Sequence, residues 1–469
     1  MGGAGQLHLP MNPPFSKRST PASSQGLGLF TDLYELTMAQ AFHSQQMLAS
    51  ATFSLFIRQY PPNRGYMVSA GLEDVLDYLE ALSFDEESLG YLESTGIFNS
   101  GFLQYLANLN FTGSVRAIPE GRLFFAEEPV LEVTGPIIEA QLVETFIINQ
   151  INLQTLLATK AARCVWAAGD KPISDFSARR TQGTDAAMKM ARSSYLAGFQ
   201  STSNVLAASR YGIPPAGTMA HSFISSFVSE QDAFQVYADT FPDHTILLLD
   251  TYETLRGAEK AVRVARNLEN RGHRLTAVRL DSGDFDALSR QVRRILDTAG
   301  LQYVKILASG GLDEFQLESL VQAGAPIDLF GVGTKAGVSA DAPWSDMAYK
   351  LVCYDGRPVM KLSEDKIYRP GAKQVFRTMD TDGMFTRDIV GMEDELLVGG
   401  LPLLDEAMSD GVRTSPSPPL GAIRDRFNQD FHRLDHGFKK LTNPPSYPVD
   451  VTPNLKLLTA EVKGTIALE

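Results

Sequence analysis

The chain has 469 residues, 44% of them hydrophobic and 21% charged, a balance that supports a sizeable core and, at this length, roughly two to three domains. Its net charge of −13 argues against nucleic-acid binding through the bulk surface and leaves open a local basic pocket for phosphates. No run of about eighteen apolar residues occurs, so no membrane span is expected, and two distant cysteines without metal-ligand spacing, Cys164 and Cys353, point to buried structural thiols in a reducing cytoplasm.

Residues 1–26 are rich in Gly, Pro and Ser and lack the apolar stretch of a secretory signal, which predicts a disordered tail. A small α+β domain is expected over residues 27–140. Residues 31–42 read as a helix capped by Thr31. Residues 52–57 read as a strand that runs into the turn Pro61-Pro62-Asn63-Arg64-Gly65. Leu72, Val75, Leu76, Leu79 and Leu82 fall at helical spacing. Short strands follow between residues 112 and 133, and residues 137–168 read as one long helix. Over residues 141–340 the texture becomes alternating. Strands are expected at 173–176, 216–218, 245–249, 275–280, 303–308 and 327–332, with helices such as 252–270 and 284–299 between them. Repeated βα units imply a parallel sheet with its site at the C-terminal strand ends. Functional-looking residues occur at most of those ends, which favours an irregular, incomplete α/β barrel over a doubly wound sheet. Beyond residue 340 the alternation stops. Strands at 347–354 and 358–362 are expected to carry residues 341–469 back to the front domain, and the Pro-rich residues 414–419 to form an exposed loop.

Five strand ends carry the chemistry. Gly217-Thr218-Met219-Ala220-His221-Ser222 sets one of seven histidines at a helix start, where its imidazole suits proton or phosphoryl transfer. A lone histidine there reads as structural, and the company it keeps changes that reading. Arg279, Asp281 and Asp284 close an apolar strand. The arginine fork suits a carboxylate or phosphate, Asp281 suits Mg²⁺, ribose hydroxyls or the histidine, and Asp284 fits a helix N-cap. Ser309-Gly310-Gly311 and Gly331-Val332-Gly333-Thr334 are turns whose backbone N–H groups can approach a phosphate. Phe176 with Arg179 and Arg180 suits a flat anionic ring. The other histidines, His8, His43, His244, His273, His432 and His436, show no metal-ligand spacing.

Together with Thr31-Asp32-Leu33-Tyr34-Glu35-Leu36-Thr37-Met38 and Thr202-Ser203-Asn204, these motifs resemble the nicotinate phosphoribosyltransferase family over roughly residues 27–458. The resemblance implies a type II phosphoribosyltransferase fold: an irregular α/β barrel beside a domain made from both chain ends, working as a homodimer with shared active sites. It implies transfer of phosphoribosyl from phosphoribosyl pyrophosphate to nicotinate in NAD salvage, with Mg²⁺, and coupling to ATP hydrolysis through a phosphohistidine at His221. By the same match Thr218 and Arg279 hold the nicotinate carboxylate, Phe176 stacks on one ring face, and Tyr34 stacks on the other from a neighbouring subunit. Arg58 and Arg179 contact phosphates. Ser309, Gly310, Gly311, Gly331, Gly333 and Thr334 belong to the phosphoribosyl pyrophosphate site, and Asp250 and Asp281 serve catalysis and Mg²⁺. Ser177 stands where the family pattern leads one to expect glycine.

Three alternatives to this reading stay open. Nicotinamide phosphoribosyltransferases have a similar fold and place an acidic residue where this chain has Ser203, which together with Arg180 favours nicotinate. A Schiff-base aldolase using Lys305 or Lys335 leaves His221 and the paired arginines unexplained, and a non-catalytic phosphosugar binder predicts that His221→Ala keeps phosphate-ligand binding with no turnover.

Overall fold

The computed structural model describes residues 27–362 and 368–468. The predicted tail at residues 1–26, with His8, lies outside the described residues.

Six strands form a parallel sheet in the order Ser201–Thr202, Ile173–Asp175, Leu329–Val332, Lys305–Ser309, Ala277–Leu280, Ile246–Leu248. All of their C-terminal ends therefore lie along one edge. The two outermost strands do not pair with each other among the described residues, so the sheet is an incomplete barrel, as expected. Val278, Leu280, Ile306, Ala308, Phe330 and Val332 are buried along these strands. They pack against helices such as Thr254–Asn270, whose Ala258, Ala261, Val264, Ala265 and Leu268 make a buried stripe at helical spacing. Asp284 caps the helix Phe285–Thr298 by accepting the Ala287 N–H at 3.1 Å.

A seven-stranded antiparallel sheet joins both chain ends. Met347–Tyr354 lies directly beside Ser50–Ile57, which lies beside Pro129–Pro136, and Asp405–Ser409 pairs with Ser114–Ala117. A further four-stranded sheet, Leu401–Pro402, Lys373–Met379, Phe385–Met392 and Val449–Val451, belongs to the C-terminal part. The helix Glu144–Ala168 ties the molecule together. Phe146, Ile147 and Ile151 of its first half lie in the core under the antiparallel sheet, and Leu157, Ala161, Cys164 and Ala168 of its second half lie in the core of the parallel sheet.

Several local expectations are corrected. The first helix is Leu33–Ser44 with Asp32 at the N-cap, not Thr31. The Thr31 hydroxyl is engaged elsewhere, with Glu35 and with the Leu142 carbonyl at 3.1 Å. That carbonyl lies where the long helix expected over 137–168 breaks into Ile137–Leu142 and Glu144–Ala168. Residues 216–218 are not a strand. Pro214 and Pro215 lack the N–H groups a ladder needs, only the single bridge Thr202↔Pro215 forms, and Ser201–Thr202 takes the sheet position. Residues 358–362 contribute only Arg357–Pro358, paired back across a tight turn in which Asp355 and Gly356 both have positive φ. Residues 414–419 are a loop, as predicted. Cys164 is buried, whereas Cys353 is only half-buried near the end of its strand, beside that hairpin. No helix among the described residues is long and apolar enough to cross a membrane.

Candidate active site

Strand ends of the parallel sheet surround a pocket of about 300 Å³ lined by Phe176, Ala178, Arg179, Ser203, Gly217, Thr218 and Arg279. Arg279 is its most constrained member. Its Nε donates to Ser309 Oγ at 2.7 Å, Nη1 donates to Thr218 Oγ1 at 3.0 Å and to the Met219 carbonyl at 3.2 Å, and Nη2 donates to Asp281 Oδ1 at 2.6 Å. The guanidinium carbon lies 5.7 Å from the centre of the Phe176 ring. A cation over an aromatic face is thus pre-positioned by neighbouring segments, without the entropy cost of an unrestrained arginine. Arg179 lines the same pocket and makes no ion pair or side-chain hydrogen bond among the described residues.

Asp281 joins this arginine to the histidine. Its Oδ1 also accepts from Ser309 Oγ at 2.5 Å, and its Oδ2 lies 3.7 Å from His221 Nε2. Burial pushes its pKa up, but the Ser309 hydrogen bond, the Arg279 charge and the His221 charge outweigh burial and hold the carboxyl below its ordinary value. Asp281 is therefore an anion at neutral pH. His221 opens the short helix His221–Ser225 with its side chain 45% exposed, and its Nδ1 lies 3.1 Å from Thr251 Oγ1. Both ring nitrogens thus face a partner, and the carboxylate stands slightly beyond hydrogen-bond range. Asp250 accepts from the Asp281 N–H at 3.2 Å and from the Ser282 hydroxyl through Oδ2. Its Oδ1 is buried without a hydrogen-bond partner. An orphaned carboxylate oxygen of this kind costs about 1–3 kcal/mol and suits a cation or a sugar hydroxyl. No group of three or more His, Cys, Asp or Glu residues able to hold a metal occurs among the described residues.

The glycine turns have structural roles that the sequence did not show. A Cβ at Gly331 would fall 2.5 Å from Phe176 Cε2, and one at Gly333 would fall 2.8 Å from the Phe176 carbonyl oxygen. These glycines admit Phe176 to the site. Gly310 has φ +96°, and a Cβ there would meet the Asp281 carbonyl oxygen at 2.0 Å, while Gly311, at φ +70°, faces open space. Ser309 is buried beneath the pocket, spending its hydroxyl on Arg279 and Asp281. Thr334 is exposed at the start of the helix Thr334–Gly337.

Phe176, Arg179, Ser203, Thr218 and Arg279 thus come together, with Ser309, Asp281, His221 and Asp250 linked behind them. Three expected residues, Arg58, Tyr34 and Arg180, do not reach this pocket within the chain. Arg58 pairs with Asp346 at 2.7 Å and lines a separate cavity of about 520 Å³ with Arg369, Lys373 and Lys463. Tyr34 lies on the first helix, 48% exposed, and its phenol pKa is pushed up by burial and then by the Glu144 and Glu35 charges. Arg180 is exposed and does not line the pocket. Sequence reasoning missed Thr251, whose only signal is its place immediately after Asp250 at a strand end. Thr202 lies inside a quoted motif and Asp175 inside the strand expected at 173–176, yet nothing in the sequence shows that they touch.

An open parallel α/β sheet beside a domain from both chain ends, with an arginine, a histidine and carboxylates at the strand ends, defines the type II phosphoribosyltransferase fold. Its match to the structure of human nicotinic acid phosphoribosyltransferase has a TM-score of 0.83 at 29% identity, covering 92% of this chain and 99% of that one. The nicotinate-nucleotide pyrophosphorylase structure from Pyrococcus furiosus matches with a TM-score of 0.71 at 25% identity, covering 87% and 95%. The N-terminal domain of nicotinate phosphoribosyltransferase (NAPRTase) matches residues 29–152, the NAPRTase family residues 172–373 and its C-terminal domain residues 401–459. The chain belongs to the nicotinate phosphoribosyltransferase family and is an enzyme. Among its relatives, nicotinate phosphoribosyltransferase pncB2 of Mycobacterium tuberculosis is 51% identical, with 90% of this chain and 91% of that protein covered. The nicotinate phosphoribosyltransferase of Bacillus subtilis is 37% identical, with 91% and 93% covered.

Proposed function

We propose that this enzyme joins nicotinate to phosphoribosyl pyrophosphate, giving nicotinate mononucleotide and pyrophosphate in the cytoplasmic salvage of NAD, with ATP hydrolysis coupled through phosphorylation of His221. The observation that carries the reading is Arg279 held over the Phe176 ring beside Thr218. That arrangement matches a flat ring bearing a carboxylate. Ser203 at the pocket wall is uncharged, so no acidic group there repels the carboxylate or favours an amide in its place. In the reaction the pyridine nitrogen supplies an electron pair to C1′ of the ribose as the C1′–oxygen bond to pyrophosphate breaks. The transition state is oxocarbenium-like, and preorganised charge around the departing group lowers its energy. Arg179 at the pocket wall would contact that group, and Thr334 with the Gly310-Gly311 turn would offer donors to the 5′-phosphate.

The unpaired Asp250 oxygen, with Asp281 adjacent, would hold Mg²⁺, which would supply positive charge for the departing pyrophosphate. A phosphoryl group on His221 Nε2 would meet the Asp281 carboxylate. Asp281 also fixes Arg279, so phosphorylation at His221 bears on the group that holds the ring. A homodimer with shared sites gives Tyr34 and the basic cavity around Arg58 a way to serve a neighbouring pocket.

The test is turnover of purified protein with phosphoribosyl pyrophosphate and Mg²⁺, offering nicotinate or nicotinamide, with and without ATP. Mononucleotide from nicotinate, with ADP formed alongside and the coupling lost in His221→Ala, is the expected result. Preference for nicotinamide would reassign the substrate, and no mononucleotide from either ring would leave a phosphosugar binder.

A further inference from the structure

We propose that Asp175 is a positioning residue of the ring-binding pocket, acting through Ser177 and Thr202; the inference rests on the nicotinate reading above. Asp175 closes the strand Ile173–Asp175 and is fully buried, with no surface in the pocket. Its Oδ1 accepts from the Ser177 N–H at 2.9 Å and from Ser177 Oγ at 2.5 Å, and its Oδ2 accepts from Thr202 Oγ1 at 2.8 Å. Its backbone carbonyl accepts the Ser203 N–H at 2.8 Å.

Each of those partners borders a wall of the pocket. Ser177 sits between Phe176 and Ala178 and leads into the Ala178–Arg180 turn. Thr202 precedes Ser203, and its carbonyl accepts the Ala216 N–H at 2.9 Å, one residue before Gly217. One carboxylate therefore ties together the segments that present Phe176 and Ser203, and the Thr202 it fixes holds through its carbonyl the segment that leads to Thr218. Only an acceptor with several lone pairs can take these three donors at once.

The group is also out of place as a stabilising element. A buried carboxylate disfavours folding unless it is well paired, and no basic side chain pairs with Asp175 among the described residues. Burial pushes its pKa up, and the hydrogen bonds from Ser177 and Thr202 only partly offset that. A fold that sustains this cost beneath its pocket gains geometry there in return. Ser177 is accounted for by the same arrangement. Its φ of −91° needs no glycine, its hydroxyl reaches Asp175, and its Cβ is accommodated because residue 337 opposite is glycine, where a Cβ would lie 2.6 Å away.

The experiment compares full-length wild type with Asp175→Asn, Thr202→Val, Ser177→Ala and Thr202→Ser, reading kcat, the KM of each substrate, nicotinate affinity by calorimetry and the melting temperature. Asp175→Asn and Thr202→Val are expected to raise the nicotinate KM roughly three- to tenfold, the scale of one misplaced aromatic contact, with the KM for phosphoribosyl pyrophosphate unmoved. Thr202→Ser, which keeps the hydroxyl, should restore the wild-type value. Unchanged nicotinate KM, equal rises for both substrates, or a fall in melting temperature alone would overturn the proposal. Should Asp175→Asn fail to fold, Thr202→Val and Ser177→Ala decide it. A wild type inactive on nicotinate removes the underlying reading, whereas an active wild type with unshifted variants removes this inference alone.

Discussion

Gly331→Ala isolates one steric contact. Gly331 is buried in the strand Leu329–Val332, and its φ is not positive, so alanine strains no backbone. The added Cβ would lie 2.5 Å and 2.6 Å from two ring carbons of Phe176 and 3.1 Å from Ser309 Cβ. Ordinary carbon contacts are about 3.5–4.0 Å, so the ring must move by roughly 1 Å. Overpacking of this kind costs about 1–3 kcal/mol, and a 1 Å misplacement at a reacting site costs on the order of a hundredfold in rate. Urea unfolding reports the first quantity, and kcat/KM for nicotinate reports the second. A double-mutant cycle with Phe176→Ala makes the assignment, because without the ring only the milder 3.1 Å approach to Ser309 Cβ remains. Wild-type stability and kcat/KM in Gly331→Ala, or strict additivity in the cycle, would refute the reasoning.

Arg279→Lys keeps the charge and loses the fork that reaches Ser309, Thr218 and Asp281; nicotinate affinity by calorimetry should fall at least tenfold, by about 1.4 kcal/mol or more. Asp341 pairs with Arg64 at 2.8 Å and Lys160 at 2.6 Å, both essentially fully buried; Lys160 keeps Glu314 as a second partner, so Asp341→Asn mainly deprives Arg64 and should cost about 1–3 kcal/mol in urea melts. Burial alone would raise the Asp341 pKa; the Arg64 and Lys160 contacts outweigh it and lower the pKa below 3.8, so this stabilisation is present above that pH and is lost as pH falls further. Glu35 runs the other way. Burial raises its pKa from 4.5 to about 7, against the Thr31 and Thr145 hydrogen bonds and with help from the Glu144 charge. Its stabilising share is full below pH 4.5 and disappears as pH rises through about 7, a change on the order of 3 kcal/mol that Glu35→Gln should flatten in melts across that range. Gly337→Ala should destabilise by about 1–3 kcal/mol through its clash with Ser177, and Ser177→Gly in the same chain should recover part of the loss on thermal melting.

Periodicity and strand-end polarity were enough to read most of the parallel sheet and to bring Arg279 and Asp281 to its C-terminal edge, because burial and strand direction act locally on the chain. The misreadings arose where a distant segment decides. Residues 216–218 look like a strand until the two prolines before them meet the sheet edge, and the helix expected over 137–168 breaks beside a carbonyl that Thr31 occupies from 111 positions away. Gly331 and Gly333 carry the pattern of a phosphate turn, yet the atoms they make room for belong to Phe176. Asp175 is invisible for the same reason. Its partners Ser177 and Thr202 sit on separate elements, and only the folded sheet brings them within hydrogen-bond reach.

The neighbouring strands Ser50–Ile57 and Met347–Tyr354 have a consequence for biosynthesis. About 290 residues separate Ile57 from its partner Met347, so on the ribosome the apolar first strand waits for a neighbour that emerges roughly 15–60 s later at 5–20 residues per second. Throughout that interval one edge of the strand offers unpaired backbone groups to any passing chain. Yield of the newly made enzyme should therefore depend on translation speed and on chaperones that shield nascent strands, even where the finished protein is stable.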